Sequence, residues 1–145
     1  MSVFTGLPAH IGYVVKSIKE TTEYLSSVHD VGPWRILEAW PTKDELLMGE
    51  PYGLKCAYAT LGGMPIELLE PLEGDTIWSR AIAAGQEGIH HLCYTVPNWD
   101  ETVQSLIDRG GKMLIGATYK GKRWCYIDLQ SGGFLIEIAE EGLGE

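Results

Sequence analysis

Apolar and polar residues alternate in short runs broken by glycine, proline and charged residues, a pattern that predicts short strands with a few amphipathic helices between them. HIGYVV from His10 and HLCYTV from His91 are β-branched and aromatic runs bounded by turn residues, and each leads into a segment of helical period. Ser17 with Glu20 three residues later is a capping-box pattern, and Asn98 with Glu101 repeats it. Ile18, Thr21, Leu25 and Val28 form the expected core face of the first helix; Trp99, Val103, Leu106 and Ile107 form that of the second, which Gly110 ends. WRILEAW, LKCAYATL and PIELLEP predict strands after the first helix, and KMLIGATY, KRWCYIDL and FLIEIAEE after the second. Between the two blocks, Asp75 is placed to cap a short helix through Trp78, Ala81 and Ile82 that stops near Gly85.

The two blocks are copies of one pattern. His10, Tyr13, Val15, Glu20 and Leu25 match His91, Tyr94, Val96, Glu101 and Leu106 at a constant offset of 81 residues without a gap. GGMPIELLE from Gly62 matches GGFLIEIAE from Gly132 at an offset of 70, which sets Glu67 on Glu137. The eleven-residue difference is extra chain in the first half, placed mostly in the polar stretch Pro41 to Gly53, where a long loop is expected. An α+β fold of two βαβββ modules follows, residues 8–72 and 89–141, within one domain.

At 145 residues, 45% hydrophobic and 21% charged, the chain is long enough to bury a core of its own. Eleven basic against twenty acidic side chains give a net charge of -9, the wrong sign for a nucleic-acid or polybasic membrane partner. No apolar run nears the roughly 18 residues of a membrane span, and MSVFTGLPAH has no basic leader, so a cytoplasmic protein is expected. Cys56, Cys93 and Cys125 are too scattered for a disulfide framework or a thiolate zinc cluster, which leaves nitrogen and oxygen as the ligands for any metal. The terminal EGLGE reads as a frayed end.

Side chains alternate faces along a strand, so His10, Gly12 and Val14 share one face, as do His91, Cys93 and Thr95. Glu67 with Leu69 and Glu137 with Ala139 behave alike. A histidine or glutamate in an apolar strand is expensive to bury unless it is paired or bound to a cation. Four such residues at equivalent positions of a repeat share one explanation, a metal, and two imidazoles with two carboxylates suit Zn, Ni, Co, Mn or Fe. His29 and His90 are read as structural, with His29 near a helix end where a cation suits the dipole. Glu70 and Glu140 are expected to face away into solvent, and Cys93 to be a packing residue. Trp34, Trp40, Trp124 and Tyr126 line either a substrate cup, the core or a dimer interface; Asp44, Glu45 and Glu50 supply an acid or base or form a solvated loop. Lys120, Lys122 and Arg123 either meet an anionic part of a substrate or form an ordinary charged hairpin.

PAHIGYVV, the GPW at Gly32 to Trp34, PIELLEPLEG, EGIHHLCYTV and GGFLIEIAEE together resemble the vicinal oxygen chelate superfamily of glyoxalase, bleomycin resistance and dioxygenase proteins over nearly the whole chain. The resemblance implies a curved mixed sheet around a metal-binding cup, with one divalent ion held by His10, Glu67, His91 and Glu137. Of the adjacent histidines, both repeat and family pattern choose His91, because His90 pairs with Ala9. PLEGDTIWSRAIAAGQEGIHHLCYTV is most similar to the methylmalonyl-CoA epimerases, and the ligand set is equally similar to bacterial glyoxalase I. The implied enzyme moves a proton at the carbon next to a carbonyl of a small carbonyl or acyl-thioester substrate, with Glu137 and Glu67 as its catalytic carboxylates, in a homodimer. Where some epimerases carry a second carboxylate on the third strand of the first module, this chain has Cys56, which shifts the role of base onto Glu67. A glyoxalase-type lactoylglutathione lyase is the main alternative, although no convincing set of residues for the glutathione carboxylates is present. An iron-dependent extradiol dioxygenase would use two His and one Glu, and a metal-free binding protein would have no use for four buried polar groups.

Overall fold

The computed structural model describes residues 2–130, 132 and 135–143. Its elements run β1 (His10–Val14), α1 (Ile18–Val28), β2 (Arg35–Ala39), a 3-10 turn (Lys43–Glu45), β3 (Leu46–Met48), β4 (Gly53–Leu61) and β5 (Met64–Glu73). They continue with α2 (Ile77–Ala83), β6 (Gly88–Val96), α3 (Trp99–Asp108), β7 (Lys112–Tyr119), β8 (Lys122–Asp128) and β9 (Leu135–Glu140). The architecture is therefore mixed α+β, with strand, helix and further strands recurring in each half of the chain. Gly133 and Phe134 of the repeated GGFLIEIAE, and Gly144 and Glu145 of the expected frayed end, lie outside the described residues. No helix among the described residues is long and apolar enough to cross a membrane.

The chain divides into two units. The first, His10–Trp40 with Glu50–His90, carries strands in the order β2-β4-β5-β1. β4 runs antiparallel to both β2 and β5, while β1 runs parallel to β5. Gly62 and Gly63, at φ +57 and +84, turn β4 back into β5; two consecutive residues at positive φ give a tight turn whose twist matches that of the strands. On one face Ile18 of α1 packs with Val15, Ala57 and Leu68, joined by Tyr13, Leu25 and Trp34. α2 belongs to this unit, and its Trp78 is fully buried in edge-on contact with Tyr52 at 5.0 Å.

The second unit takes the chain up to Ala9, Pro41–Gly49 and the residues from His91 onward, with strands in the order β6-β9-β8-β7-β3. β6 and β9 are parallel; β8 is antiparallel to β9 and to β7. Its helix face joins Trp99, Val103 and Leu106 of α3 to Val96, Cys125, Ile127, Ile136 and Ile138. Phe4 stacks on Tyr94 at 4.1 Å, and the backbone N–H of Ala9 donates to Cys93 O at 2.7 Å, which ties the N-terminal segment to β6. Half of the stretch expected as a loop is also structured here. Leu46–Met48 pairs antiparallel with β7 as an edge strand, because this short apolar run has backbone groups to satisfy and β7 has a free edge to satisfy them.

Several local expectations are corrected. Ser17 caps α1 by accepting from Glu20 N–H at 3.1 Å, but the Asn98 side chain makes no cap bond on α3. α2 is capped by Thr76, in a reciprocal box with Ser79, and not by Asp75, which instead accepts from Arg80 Nη1 at 3.1 Å. Val28 and Ile107 are exposed, although Leu25 and Leu106 in the same last turns pack on the cores, so both lie off the core-facing side of their helices. Asp44, Glu45 and Glu50 are exposed, and His29 is the C-cap of α1, its backbone N–H donating to Leu25 O.

Glu70 and Glu140 are not solvated spectators. Glu70 Oε2 accepts from Ile18 N–H at 2.9 Å, satisfying one of the orphan donors of the first turn of α1, and a carboxylate also suits the positive end of the helix. Glu140 accepts from the backbone N–H of Arg123 at 2.7 Å and from its guanidinium at 2.7 and 3.1 Å. The same guanidinium donates to Asp100 and lies 4.5 Å over the Trp99 ring, so Arg123 ties β8 to β9 and α3. This removes Arg123 from the basic triplet considered for anion binding. The guanidinium bonds also hold the Glu140 carboxyl below its ordinary value.

Two stability measurements follow. Glu70→Ala should lower the unfolding free energy by about 1 kcal/mol in urea denaturation, the typical scale of a lost helix cap. Arg123→Met should cost about 1–2 kcal/mol at pH 7. A depressed folded-state pKa on Glu140 stabilises above its unfolded value and ceases to do so as pH falls through the folded one, so the gap between wild type and Arg123→Met should close in acid.

Candidate functional site

In the first unit the parallel register of β1 and β5 sets Gly12 opposite Glu67. His10 lies two residues before Gly12 and on the same face, with Nε2 3.3 Å from Glu67 Oε1. β4 places Tyr58 opposite Glu67, its ring edge-on to His10 at 6.2 Å. β2 then places Arg35 opposite Tyr58, with Cζ 4.5 Å over the ring. One row across four strands thus reads Arg35, Tyr58, Glu67, Gly12.

The second unit repeats the construction from different strands. β6 and β9 set Cys93 opposite Glu137, and His91, two residues before Cys93, brings Nε2 to 3.0 Å from Glu137 Oε2. β8 places Tyr126 opposite Glu137, its ring 4.7 Å from that of His91. Ile115 of β7 is opposite Tyr126, where the first unit has Arg35. Trp124 lies 5.2 Å from Tyr126 and is buried with it.

The structure therefore pairs His10 with Glu67 and His91 with Glu137, each within its own unit. His91 is fully buried, and Glu67 and Glu137 are 4% and 6% exposed. Taking an imidazole and a carboxylate out of water this completely requires compensating charge. The donor spacing fits a shared cation as well as it fits a direct bond. Two donors about 2.1 Å from one ion are about 3.0 Å apart at a right angle and about 3.4 Å apart at the tetrahedral angle, which brackets both separations.

Tyr58 and Tyr126 extend each pair in the same way, and the sequence alone pointed to only one of them. Tyr58 stands nine residues before Glu67 and Tyr126 eleven before Glu137. The hairpin registers make the two equivalent, and the unequal turn lengths hide it. Of the other candidates, Trp34 donates to Ser26 Oγ and packs on the α1 core, while Trp40 is half exposed and donates to Glu38. The six-membered ring of Trp40 lies against Gly53, where a side chain would collide with the indole. Cys93 is buried beside Glu137, consistent with packing. Burial, with the charge of Glu137 adding to it, pushes the Cys125 thiol up to about 12, so this residue is no nucleophile.

The chain matches the model of the Glyoxalase/Bleomycin resistance protein/Dioxygenase superfamily over residues 9–127. Comparison with curated proteins finds no match. Among solved structures, a hypothetical protein of Bacillus halodurans C-125 is 26% identical, with a TM-score of 0.68 over 95% of this chain and 96% of that one. A methylmalonyl-CoA epimerase variant of Streptomyces coelicolor in complex with 2-nitronate-propionyl-CoA is 19% identical, with a TM-score of 0.72 over 96% of each chain. The methylmalonyl-CoA epimerase of Mycobacterium tuberculosis is 20% identical, with a TM-score of 0.65 over 96% of this chain and 89% of that one.

Proposed function

We propose that this chain, which belongs to the Glyoxalase/Bleomycin resistance protein/Dioxygenase superfamily, is a divalent-metal-dependent enzyme that moves a proton at the carbon next to the carbonyl of an acyl thioester, in the manner of an epimerase. The observation that carries the reading is the duplicated pair: each unit independently faces one imidazole with one carboxylate on a dry strand surface, at repeat-equivalent positions. His10, Glu67, His91 and Glu137 are the proposed ligands of one Zn, Ni, Co, Mn or Fe ion. The acyl-thioester class is supported by fold relatives in complex with methylmalonyl-CoA or 2-nitronate-propionyl-CoA.

When bound, the ion supplies Lewis acidity, polarising the thioester carbonyl and stabilising the negative charge that develops on its oxygen. The chain supplies the bases. A carboxylate is a weak base in water, but one held against an acidified carbon and shielded from solvent takes up a proton readily. Glu67 and Glu137 are both shielded in this sense, and the repeat gives the chain one on each module. One removes the proton and the other returns one to the opposite face of the planar intermediate, which inverts the carbon. Tyr58 and Tyr126 hold the imidazole planes by ring contact. A glyoxalase-type rearrangement would use the same two carboxylates on a hemithioacetal, and substrate choice separates the two.

Purified protein loaded with Co²⁺ and incubated with methylmalonyl-CoA in D₂O should incorporate deuterium at the carbon next to the thioester carbonyl. Glu137→Gln should reduce that exchange by about 10²–10⁴-fold with the fold retained by circular dichroism. His91→Ala should strip metal from the protein by elemental analysis, while His90→Ala should leave most of it. Greater metal loss from His90→Ala, or exchange that persists undiminished in Glu137→Gln, refutes the assignment.

A further inference from the structure

The repeated row keeps its Tyr and Glu in both units and differs at its two ends, where Gly12 stands against Cys93 and Arg35 against Ile115. Next to the Tyr opposite each Glu, the second unit has Ile115, which is buried, and the first has Arg35, which is exposed. Two other arginines of the chain show what an ordinary structural role looks like here. Arg80 is bound to Asp75, and Arg123 to Asp100 and Glu140. Arg35 lies on its tyrosine ring with no carboxylate of the described residues against it, although acidic side chains outnumber basic ones twenty to eleven. A guanidinium held flat on a ring keeps its planar fork of N–H donors available. That fork sits on the same strand face as Glu67, two strand spacings away, or about 10 Å between backbones, a gap the side chain spans in part.

We propose that Arg35 is the anion-recognising residue of the site: it binds a carboxylate that the substrate carries on or beside the carbon from which the proton is taken. This rests on the proton-transfer reading above and makes Arg35 the residue that favours a carboxylated thioester over an uncarboxylated one. A bidentate Arg–carboxylate contact suits the role because it fixes orientation as well as charge.

The test compares wild type, Arg35→Gln and Arg35→Lys, each with its unfolding midpoint measured. The probes are methylmalonyl-CoA, the uncarboxylated propionyl-CoA, and malonate titrated calorimetrically into metal-free and Co²⁺-loaded protein. Arg35→Gln should weaken malonate binding to both forms roughly tenfold or more, the equivalent of losing one charged hydrogen-bonded contact. It should raise KM for methylmalonyl-CoA by a similar factor, leave kcat within about threefold, and leave deuterium exchange into propionyl-CoA unchanged. Arg35→Lys should recover part of the affinity. Malonate affinity equal in wild type and Arg35→Gln, or equal losses for carboxylated and uncarboxylated thioesters, overturns the proposal. If wild type exchanges no thioester at all, the proton-transfer reading falls, and the malonate titration still decides whether Arg35 binds carboxylates.

Discussion

An imidazole facing a carboxylate on a water-poor strand surface is the constraint around which each unit is built. His10 and Glu67 stand 57 positions apart in the chain, and His91 and Glu137 46 positions apart. Each pair meets because β1 lies parallel to β5 and β6 parallel to β9. Parallel neighbours cannot be joined by a hairpin; they need a crossover, and a helix followed by further strands provides it, β2, β3 and β4 in one half and β7 and β8 in the other. The module is in that sense a device for holding two remote residues in register. A slip of one residue in either parallel pair would turn the glutamate toward the helices and replace it with an apolar neighbour, Ile66 or Leu68 in one unit and Ile136 or Ile138 in the other. The apolar helix face and the polar opposite face therefore lock each other: the register that buries Leu68 or Ile138 also presents Glu67 or Glu137.

Much of this was legible in the sequence because repetition is visible without a structure. The constant offset of 81 carried β1, α1 and their copies, and the offset of 70 carried the glutamates. What failed was local and follows from competition between near neighbours. Asp75 and Thr76 are both good caps, and the one that also forms a box with Ser79 wins. The three-residue strand Leu46–Met48 is too short for its own periodicity to show, and its pairing depends on the free edge of β7, a tertiary fact. Glu70 and Glu140 do face away from the glutamates three residues earlier, but the far face holds a helix start for one and a guanidinium for the other. Facing away from a candidate site is not the same as facing solvent in a unit whose far face is covered by a helix.

The duplication leaves a further asymmetry. His91 is fully buried, whereas the His10 side chain is 16% exposed, and Tyr126 is buried where Tyr58 is only partly so. Trp124 beside Tyr126 adds a second aromatic to the closed side. The pair in the second unit is the drier of the two, and in the first solvent reaches the imidazole of His10. The same side carries the exposed guanidinium over Tyr58. A duplicated scaffold that kept its chemical pair twice has thus differentiated what surrounds each copy: an aliphatic and a second aromatic side chain enclose one, and a guanidinium at the surface borders the other.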